Sequence, residues 1–393
     1  MNEFNWLPSI KIQGYRPFND ILFRFEKLQV IVGANGSGKS SLFEFLRFLR
    51  DACYQEIPPE IVSGTIGQQI FHKPGPDKLW WSAEIDYGER APLFYQGELM
   101  GPVGSTKIVL ERVITKTPRH SELDKGFTFL DFKDGKGRVR DPKDQTFKRK
   151  EWNLKKSNQL MLGAITDPTL FTLYNLREFM RGWRFYNSLN INNEKIKKST
   201  PTSQKPVLHE DAGNLSAVLF YLMSEHRDRF EELKSVIKAT IPGFNDLSVK
   251  ARGGPGEVIA FWQENDIDKE LSLADLSDGT LRFVSWATLC IMPSPPTLIC
   301  IDEPDQGVHP RTLPVLAGLF EKASERTQVI LATHSSYFLT QFELKNIAIM
   351  KKFKGESIYS KVEDSKTLID NLDEFGSEEL EVMHRTDELE VLS

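Results

Sequence analysis

The last third of the chain alternates short and long apolar runs, and this alternation predicts helices packed on a parallel sheet. Short continuous apolar runs, which are typical of strands buried on both faces, occur at 297–301, 328–332 and 346–353. Longer runs with a helical period occupy 280–292 and 311–325. Strands that alternate with helices in this way favour parallel pairing, because each crossover returns the chain to the same end of the sheet.

The first third has a different pattern. Residues 8–32 are predicted to form two strands around a turn, and the second strand contains the buried-type run LQVIV. The amphipathic stretch 41–52 then predicts a helix. Strand-like segments between residues 79 and 115 are separated by glycine and proline, which indicates an antiparallel region.

The middle of the chain is predicted to be mostly helical, with polar interruptions. Residues 166–187 and 212–240 carry a helical period. Residues 131–157 are polar, basic and turn-rich, and they predict a mobile hairpin or loop. The Ser/Thr/Pro/Lys-rich stretch 196–206 predicts a poorly ordered linker.

A glycine-rich segment between the LQVIV strand and the following helix matches the P-loop pattern G-x4-G-K-S/T. Its glycines allow the backbone to approach phosphates closely, and the amides at the helix start point at the anion. Lys39 is predicted to reach the β and γ phosphates and Ser40 to ligate Mg²⁺. The candidate ATP-binding residues are Asn35, Gly36, Ser37, Gly38, Lys39, Ser40 and Ser41.

A second group of candidate site residues, a pair of carboxylates, follows the apolar strand at 298–301. Asp302 and Glu303 follow it, at the carboxyl end of a strand, where open α/β sheets bind their ligands. Asp302 is predicted to hold Mg²⁺, directly or through water. Glu303 is predicted to orient or deprotonate an attacking water.

Composition limits the class of protein and the cellular compartment in which the chain is expected to act. The chain has 393 residues, a net charge of −5 and only three cysteines, which excludes a disulfide framework and a uniformly basic nucleic-acid binder. We see no signal peptide and no apolar stretch long enough to cross a membrane, so a cytoplasmic protein without a membrane contact is expected.

The charge is unevenly distributed. Residues 133–156 contain ten Lys/Arg against four Asp/Glu, whereas 363–393 contain eleven acids against two bases. The basic residues at 148–156, flanked by Phe147 and Trp152, are a candidate contact for DNA or RNA. An ordinary solvated loop is the alternative interpretation.

Further motifs resemble those of the RecF-like and OLD-like ATPases, an ABC-class group related to SMC proteins. Leu276-Ser277-Asp278-Gly279-Thr280 resembles the ABC signature in its LSDGT form, and 303–310 resembles the segment E-E/D-P-E-N-x-L-H-P. The segment 329–335 is similar to the Thr-His-Ser switch of the same group. Further similar stretches at 176–187, 213–222 and near the end extend the resemblance over nearly the whole chain.

The resemblance implies roles for particular residues. Ser277 and Gly279 would contact the γ-phosphate bound to a second copy of the chain, and His334 would sense or position that phosphate. Arg16 is similar in placement to an arginine that reaches phosphates in SMC-like heads. Gln68 or Gln69 is the candidate for the Q-loop residue, and Gln68 is the one assigned to the metal. For Arg16 and for the Q-loop candidate, a surface polar residue is an equally open interpretation.

The resemblance also implies a fold and a way of working. We expect an α/β protein, an ABC-type P-loop NTPase head with a mixed central sheet, an antiparallel β subdomain and a helical lobe. The predicted divisions are a first nucleotide-binding lobe (1–130), a basic loop with a helical insertion (131–270), a second lobe (271–362) and an acidic tail (363–393). Two chains would enclose two ATP molecules and act as a conformational switch in DNA repair or anti-phage defence.

Other functions remain in competition at this point. About 59 residues follow His334, too few for a further catalytic domain, so a nuclease or toxin effector would be a separate polypeptide. The main alternative is the ATPase subunit of a membrane transporter, which shares all the nucleotide motifs. A GTPase or small-molecule kinase is disfavoured because the guanine motif N-K-x-D is absent, and an inactive structural protein because each catalytic position is chemically intact.

Overall fold

The computed structural model describes residues 4–54, 57, 70–88, 90–102, 106–116, 126–140, 150–154, 156–188 and 193–364. The strands, in chain order, are β1 (Trp6–Tyr15), β2 (Phe18–Arg24), β3 (Leu28–Val32), β4 (Lys78–Tyr87), β5 (Arg90–Met100), β6 (Lys107–Ile114), β7 (Thr128–Lys133), β8 (Lys136–Val139), β9 (Lys150–Asn153), β10 (Trp183–Asn187), β11 (Thr200–Pro201), β12 (Phe244–Ala251), β13 (Glu257–Glu264), β14 (Leu271–Ser272), β15 (Leu298–Asp302), β16 (Gln328–Thr333), β17 (Ile347–Phe353) and β18 (Glu356–Lys361).

The helices are α1 (Lys39–Asp51), α2 (Met161–Ala164), α3 (Phe171–Arg181), α4 (Asn193–Ile196), α5 (Leu215–Glu225), α6 (Arg227–Thr240), α7 (Asp278–Ile291), α8 (Leu313–Ser324) and α9 (Ser336–Leu339). Among the described residues, no helix is both long and apolar enough to cross a membrane.

The central sheet has the order β10-β15-β16-β3-β17-β18. Its neighbours pair in parallel except for β18, which runs antiparallel to β17. Both faces are buried: Val30 and Val32 on β3 contribute to one hydrophobic cluster and Ile31 to the other. This double burial explains why these strands appear in the sequence as continuous apolar runs.

A larger antiparallel sheet, ordered β2-β1-β4-β5-β6-β7-β8-β9, packs against one side of the central sheet, with α1 contributing to the shared core. Trp81 on β4 is fully buried, with its ring centroid 6.3 Å from Phe45 and 6.0 Å from Phe48 of α1. The absence of a side chain at Gly97 on the paired strand β5 makes room for this indole, because a Cβ there would lie 2.0 Å from Trp81 Cζ2.

A smaller sheet carries the helical lobe. Its order is β11-β13-β12, with β14 paired to β13, and helices α5 and α6 pack against it. The predicted fold class is therefore confirmed: a mixed central sheet, an antiparallel β region and a helical lobe on an α/β head. The lobe boundaries stay a prediction.

Several local predictions are corrected by the structure. Residues 8–32 form three strands in the described chain, because 18–24 folds back onto β1. The helical period assigned to 166–187 ends at Arg181, and Trp183–Asn187 is instead the edge strand of the central sheet. The helical insertion also contains β12 and β13, which pair with each other after α6 ends.

The predicted linker at 196–206 is also only partly right. Thr200 and Pro201 form β11, which pairs with β13, and the side chains of Ile196 and Pro206 are buried. In the stretch 131–157, predicted as a mobile hairpin or loop, the described residues form the hairpin of β7 and β8, to which β9 is paired. Residues 141–149 and 155 lie outside the described residues. The helical prediction for 212–240 is confirmed as α5 and α6, which are separated at His226.

Candidate active site

The P-loop lies between β3 and α1, at the carboxyl end of the central strand. Gly36 has φ 79° and Gly38 has φ 114°, in the region that favours glycine. Gly38 is also the N-cap of α1, and no side chain caps the first turn of this helix. The first-turn amides of α1 have no intrahelical acceptor, so they are available to bind an anion.

Lys39 and Ser37 are both buried in this loop. The Lys39 ammonium donates hydrogen bonds to the carbonyl oxygens of Gly33 (2.5 Å) and Ala34 (3.1 Å). The loop is anchored from the other side by Ser357 on β18, whose hydroxyl donates to the Ser37 carbonyl at 2.5 Å. The P-loop is therefore held between α1 and the last strands of the central sheet.

Ser40 and Asp302 meet as predicted for a metal site. The Ser40 hydroxyl donates to Asp302 Oδ2 at 2.8 Å. Both groups present oxygen atoms, which are the ligands Mg²⁺ prefers. Asn187, at the end of the neighbouring strand β10, places its Nδ2 3.5 Å from the same carboxylate oxygen. These oxygen atoms fit Mg²⁺, and Ser40 and Asp302 are the residues that would hold it.

Glu303 follows β15 in an unusual conformation. Its φ of 55° lies in the left-handed region, which costs free energy for a residue with a side chain. Its amide donates to the Ala332 carbonyl at 2.8 Å, and its carbonyl accepts a hydrogen bond from the Ser188 hydroxyl. These bonds fix the turn that directs the carboxylate, whose Oε2 lies 2.7 Å from Nδ1 of His334.

The environment shifts the pKa of both acidic residues. Burial raises the pKa of Asp302 above its ordinary value of 3.8, and the hydrogen bond from Ser40 opposes this shift. Burial also raises the pKa of Glu303 above 4.5, and the contact with His334 opposes it. A carboxylate with a raised pKa is a stronger base, which suits the predicted role of Glu303.

The signature segment opens α7 on the same side of the molecule as the loop that follows Glu303. Ser277 is the exposed N-cap of α7, and its hydroxyl accepts from the Thr280 amide at 3.2 Å. Gly279 packs closely on this loop, because a Cβ there would lie 2.4 Å from the Gly307 carbonyl oxygen. In the next turn, Arg282 donates to the carbonyls of Ser188 (3.2 Å) and Gln306 (3.3 Å).

The remaining candidates lie in or beside the P-loop, except for one outside the described residues. Arg16, at φ 44°, forms an ion pair with Glu44 of α1, one turn beyond the P-loop. Ser41 lies in the first turn of α1, and Asn35 and Gly36 are exposed at the tip of the loop. Gln68 lies outside the described residues.

The candidate nucleic-acid stretch is only partly described. Phe147, the Lys/Arg residues at 148–149 and Lys155 lie outside the described residues. Trp152 is partly buried against the core of the antiparallel sheet and is not an exposed stacking platform, because β9 pairs with β8 and directs this side chain inward.

Sequence reasoning missed the residues that support the site from a distance. Asn187, Ser188, Arg282 and Ser357 all contact it, but each is distant in sequence from its partner. In the sequence, Asn187 and Ser188 follow the apolar stretch 183–186, which could have indicated a strand end. The stretch was assigned to a helix because it continues the helical period of 166–181.

Comparison with known families identifies a match over most of the chain. A family described as "AAA domain, putative AbiEii toxin, Type IV TA system" matches residues 28–340, which include the P-loop, Asp302, Glu303 and His334. A sequence comparison with curated proteins finds no match.

Solved structures of SMC heads resemble the chain in fold. "Crystal structure of the SmcHead bound to the C-winged helix domain of ScpA" superposes with a TM-score of 0.58 at 12% identity, covering 90% of this chain and 97% of that chain. The Smc head domain with an extended coiled coil bound to the C-terminal domain of ScpA from Pyrococcus furiosus gives 0.56 at 11% identity, covering 94% and 100%. At such identities, the similarity concerns the fold alone.

Proposed function

The chain belongs to the AAA family whose description is "AAA domain, putative AbiEii toxin, Type IV TA system", and on this premise we propose that it hydrolyses ATP at sites completed by a second copy of the chain. The proposal depends on one observation: the P-loop, the Ser40–Asp302 pair and the Glu303–His334 pair lie together at the carboxyl ends of the parallel strands of the central sheet. Such an arrangement supports binding of a nucleoside triphosphate with Mg²⁺ and activation of water beside it.

Separate residues would bind the phosphates, hold the metal ion and activate the attacking water. The first-turn amides of α1 and the Lys39 ammonium bind the phosphates, and Lys39 exchanges its present carbonyl partners for phosphate oxygens. Ser40 and Asp302 would hold Mg²⁺, and the bound ion would supply positive charge to neutralise the charge that develops on the transferred phosphate. Glu303 accepts a proton from the attacking water. His334, whose Nδ1 lies 2.7 Å from Oε2 of Glu303, orients the carboxylate and is proposed to contact the γ-phosphate as well.

The proposed second copy supplies Ser277 and Gly279. Ser277 is exposed at the N-terminus of a helix of 14 residues, whose dipole favours an anion such as the γ-phosphate. Within one chain, Arg282 and Ser188 connect this helix to the backbone of Glu303. We therefore propose that closure of the dimer on ATP is sensed at the catalytic glutamate and that hydrolysis reopens the dimer.

The proposed output is a conformational change passed to another molecule. The family description names a toxin of a toxin–antitoxin system, which supports a role in defence. The two SMC heads described above are bound to domains of ScpA, which supports a protein partner as the receiver of this change. A separate effector protein, or DNA or RNA bound through 148–156, would receive the signal; DNA repair is the other setting proposed.

Two substitutions test the catalytic assignment. Lys39→Ala should abolish ATP binding, because the loop loses its ammonium. Glu303→Gln should leave binding intact and lower the hydrolysis rate by about 100- to 10,000-fold, the usual contribution of a general base. Isothermal titration with ATP and a phosphate-release assay measure the two effects.

The matched control is Glu325→Gln, which changes an exposed glutamate beyond the end of α8 and should leave both quantities unchanged. Normal ATP affinity in the Lys39 variant would refute the P-loop assignment. A Glu303→Gln variant with the wild-type rate would remove Glu303 as the base.

A further inference from the structure

A second cavity, separate from the P-loop, lies beside the first residues of β10. It has a volume of about 620 Å³ and is bounded by β10, the segment 195–209 and the start of α5. We call it the basic groove, after its basic side chains, those of Arg184, Lys195, Lys198, Lys205 and His209. None of its lining residues, all within the described chain, is acidic.

The positive charge of the groove is only partly neutralised. Lys195 pairs with Asp211 at 2.7 Å. Lys198 and Lys205 are exposed, and neither forms an ion pair within the described part of the chain. Two such ammonium groups at the edge of a concave surface attract anions, because their fields add in the cavity.

The hydroxyl and guanidinium groups of the groove also suit an anion. Thr200 Oγ1 is buried and has no hydrogen-bond partner among the described residues. A buried hydroxyl without a partner carries a free-energy penalty, which an acceptor oxygen from a ligand would remove. Arg184 is held in place by its Nη1, which donates to the carbonyls of Arg181 (2.8 Å) and Trp183 (2.7 Å).

An apolar wall completes the groove. Pro201, Pro206, Val207 and Ala217 lie among the lining residues. A ligand that satisfies both parts has a charged, oxygen-rich end and a flat apolar end. The volume lies in the range of small-molecule sites.

We propose that the basic groove binds a phosphorylated nucleoside, either free or as the terminal unit of a nucleic-acid strand. The phosphate contacts Lys198, Lys205 and the Thr200 hydroxyl, and the base lies against the proline and valine wall. The inference rests on the groove alone and does not depend on the proposed hydrolysis of ATP.

The groove is connected to the candidate active site through one strand. Arg184 pairs with Ile299 and Asn187 with Asp302, so the two positions lie about 10 Å apart along β10. The loop over this edge is fastened to the same strand, since Glu210 accepts from the Phe185 amide at 3.0 Å and the Tyr186 hydroxyl donates to the Leu208 carbonyl at 2.9 Å. A ligand in the groove therefore contacts elements that also shape the metal site.

The test uses the full chain carrying Lys39→Ala, so that the P-loop does not contribute to binding. The probes are AMP, a 5′-phosphorylated single-stranded hexanucleotide and inorganic phosphate, each titrated calorimetrically. AMP or the hexanucleotide should bind, and which of them binds distinguishes a free nucleotide from a strand end. Adding Lys198→Ala and Lys205→Ala should weaken that binding at least about tenfold, since bonds to charged groups are lost.

The matched control replaces Lys238 and Lys269 with alanine, two exposed lysines outside the groove, and removes the same charge. It should bind as the Lys39→Ala parent does. The proposal is overturned if neither nucleotide probe binds, if both double variants weaken binding equally, or if inorganic phosphate binds as tightly as AMP.

Discussion

Among single residues, Glu111 on β6 is a buried carboxylate with a testable effect on stability. It accepts hydrogen bonds from the Tyr95 hydroxyl (3.1 Å) and from the amides of Met161 (2.5 Å) and Leu162 (3.0 Å). Burial raises the pKa of Glu111 to about 7, and these hydrogen bonds oppose the shift. Glu111 thus joins the antiparallel sheet to the start of α2.

This raised pKa predicts how stability changes with pH. Between the ordinary value of 4.5 and about 7, the folded protein holds a proton on Glu111 that the unfolded chain releases. The contribution of this group to the free energy of unfolding therefore falls as pH rises through that interval, by up to about 3 kcal/mol.

Glu111→Gln removes the titration, so the difference in stability between wild type and variant should change in favour of the variant from pH 5 to pH 8. Urea unfolding at both pH values measures it. Parallel pH profiles for the two proteins would contradict the assignment.

The sequence predicted which candidate residues meet beside the P-loop, but it did not predict the residues that support them. Ser40, Asp302 and Glu303 follow buried strands or open a helix, and the carboxyl ends of parallel strands meet at one edge. The supporting bonds of Ser188 and Arg282 depend on how distant segments pack, which no local period encodes. Arg16 shows the same limit, since its ion pair with Glu44 follows from packing of β1 against α1.

At the scale of elements, the packing of α1 on the antiparallel sheet depends on Gly97. Gly97→Ala should destabilise the protein by about 1–3 kcal/mol, because the added Cβ overlaps the fully buried Trp81 ring. Chemical unfolding monitored by tryptophan fluorescence measures the change.

The control is Gly318→Ala in α8, where an added Cβ meets nothing within 4 Å. This substitution should stabilise the protein by up to about 1 kcal/mol, because alanine favours a helix more than glycine does. Equal effects of the two substitutions would show that the contact between β5 and Trp81 does not limit packing.

Helices and strands were predicted correctly where one hydrophobic period extended over the whole segment. They were predicted incorrectly where a helical and a strand pattern adjoined. The segment 183–187 continues the apolar spacing of α3, yet Gly182 ends the helix and the edge of the central sheet captures the next residues. β12 and β13 have weaker alternation, and pairing with each other and burial beneath α5 and α6 stabilise them. Tertiary context, which a single sequence does not display, decided both cases.

At the scale of the whole molecule, the proposed ATP site requires two chains. The P-loop and Glu303 lie at the carboxyl ends of strands in the central sheet. Ser277 begins a helix that packs on the loop after Glu303. The hydroxyl of Ser277 is bonded to Thr280 and remains exposed. The N-terminus of this helix is accessible to a phosphate bound by another copy of the chain. Closure of the dimer should therefore depend on both the nucleotide and Ser277.

The most direct measurement is the mass of the Glu303→Gln protein by light scattering with and without Mg²⁺ and ATP. We predict a monomer without ATP and a dimer with it. Adding Ser277→Arg should keep the ATP-bound protein monomeric, whereas the control Ser235→Arg, at an exposed serine of α6, should still dimerise. A Glu303→Gln protein that retains bound ATP and remains monomeric would contradict the composite site.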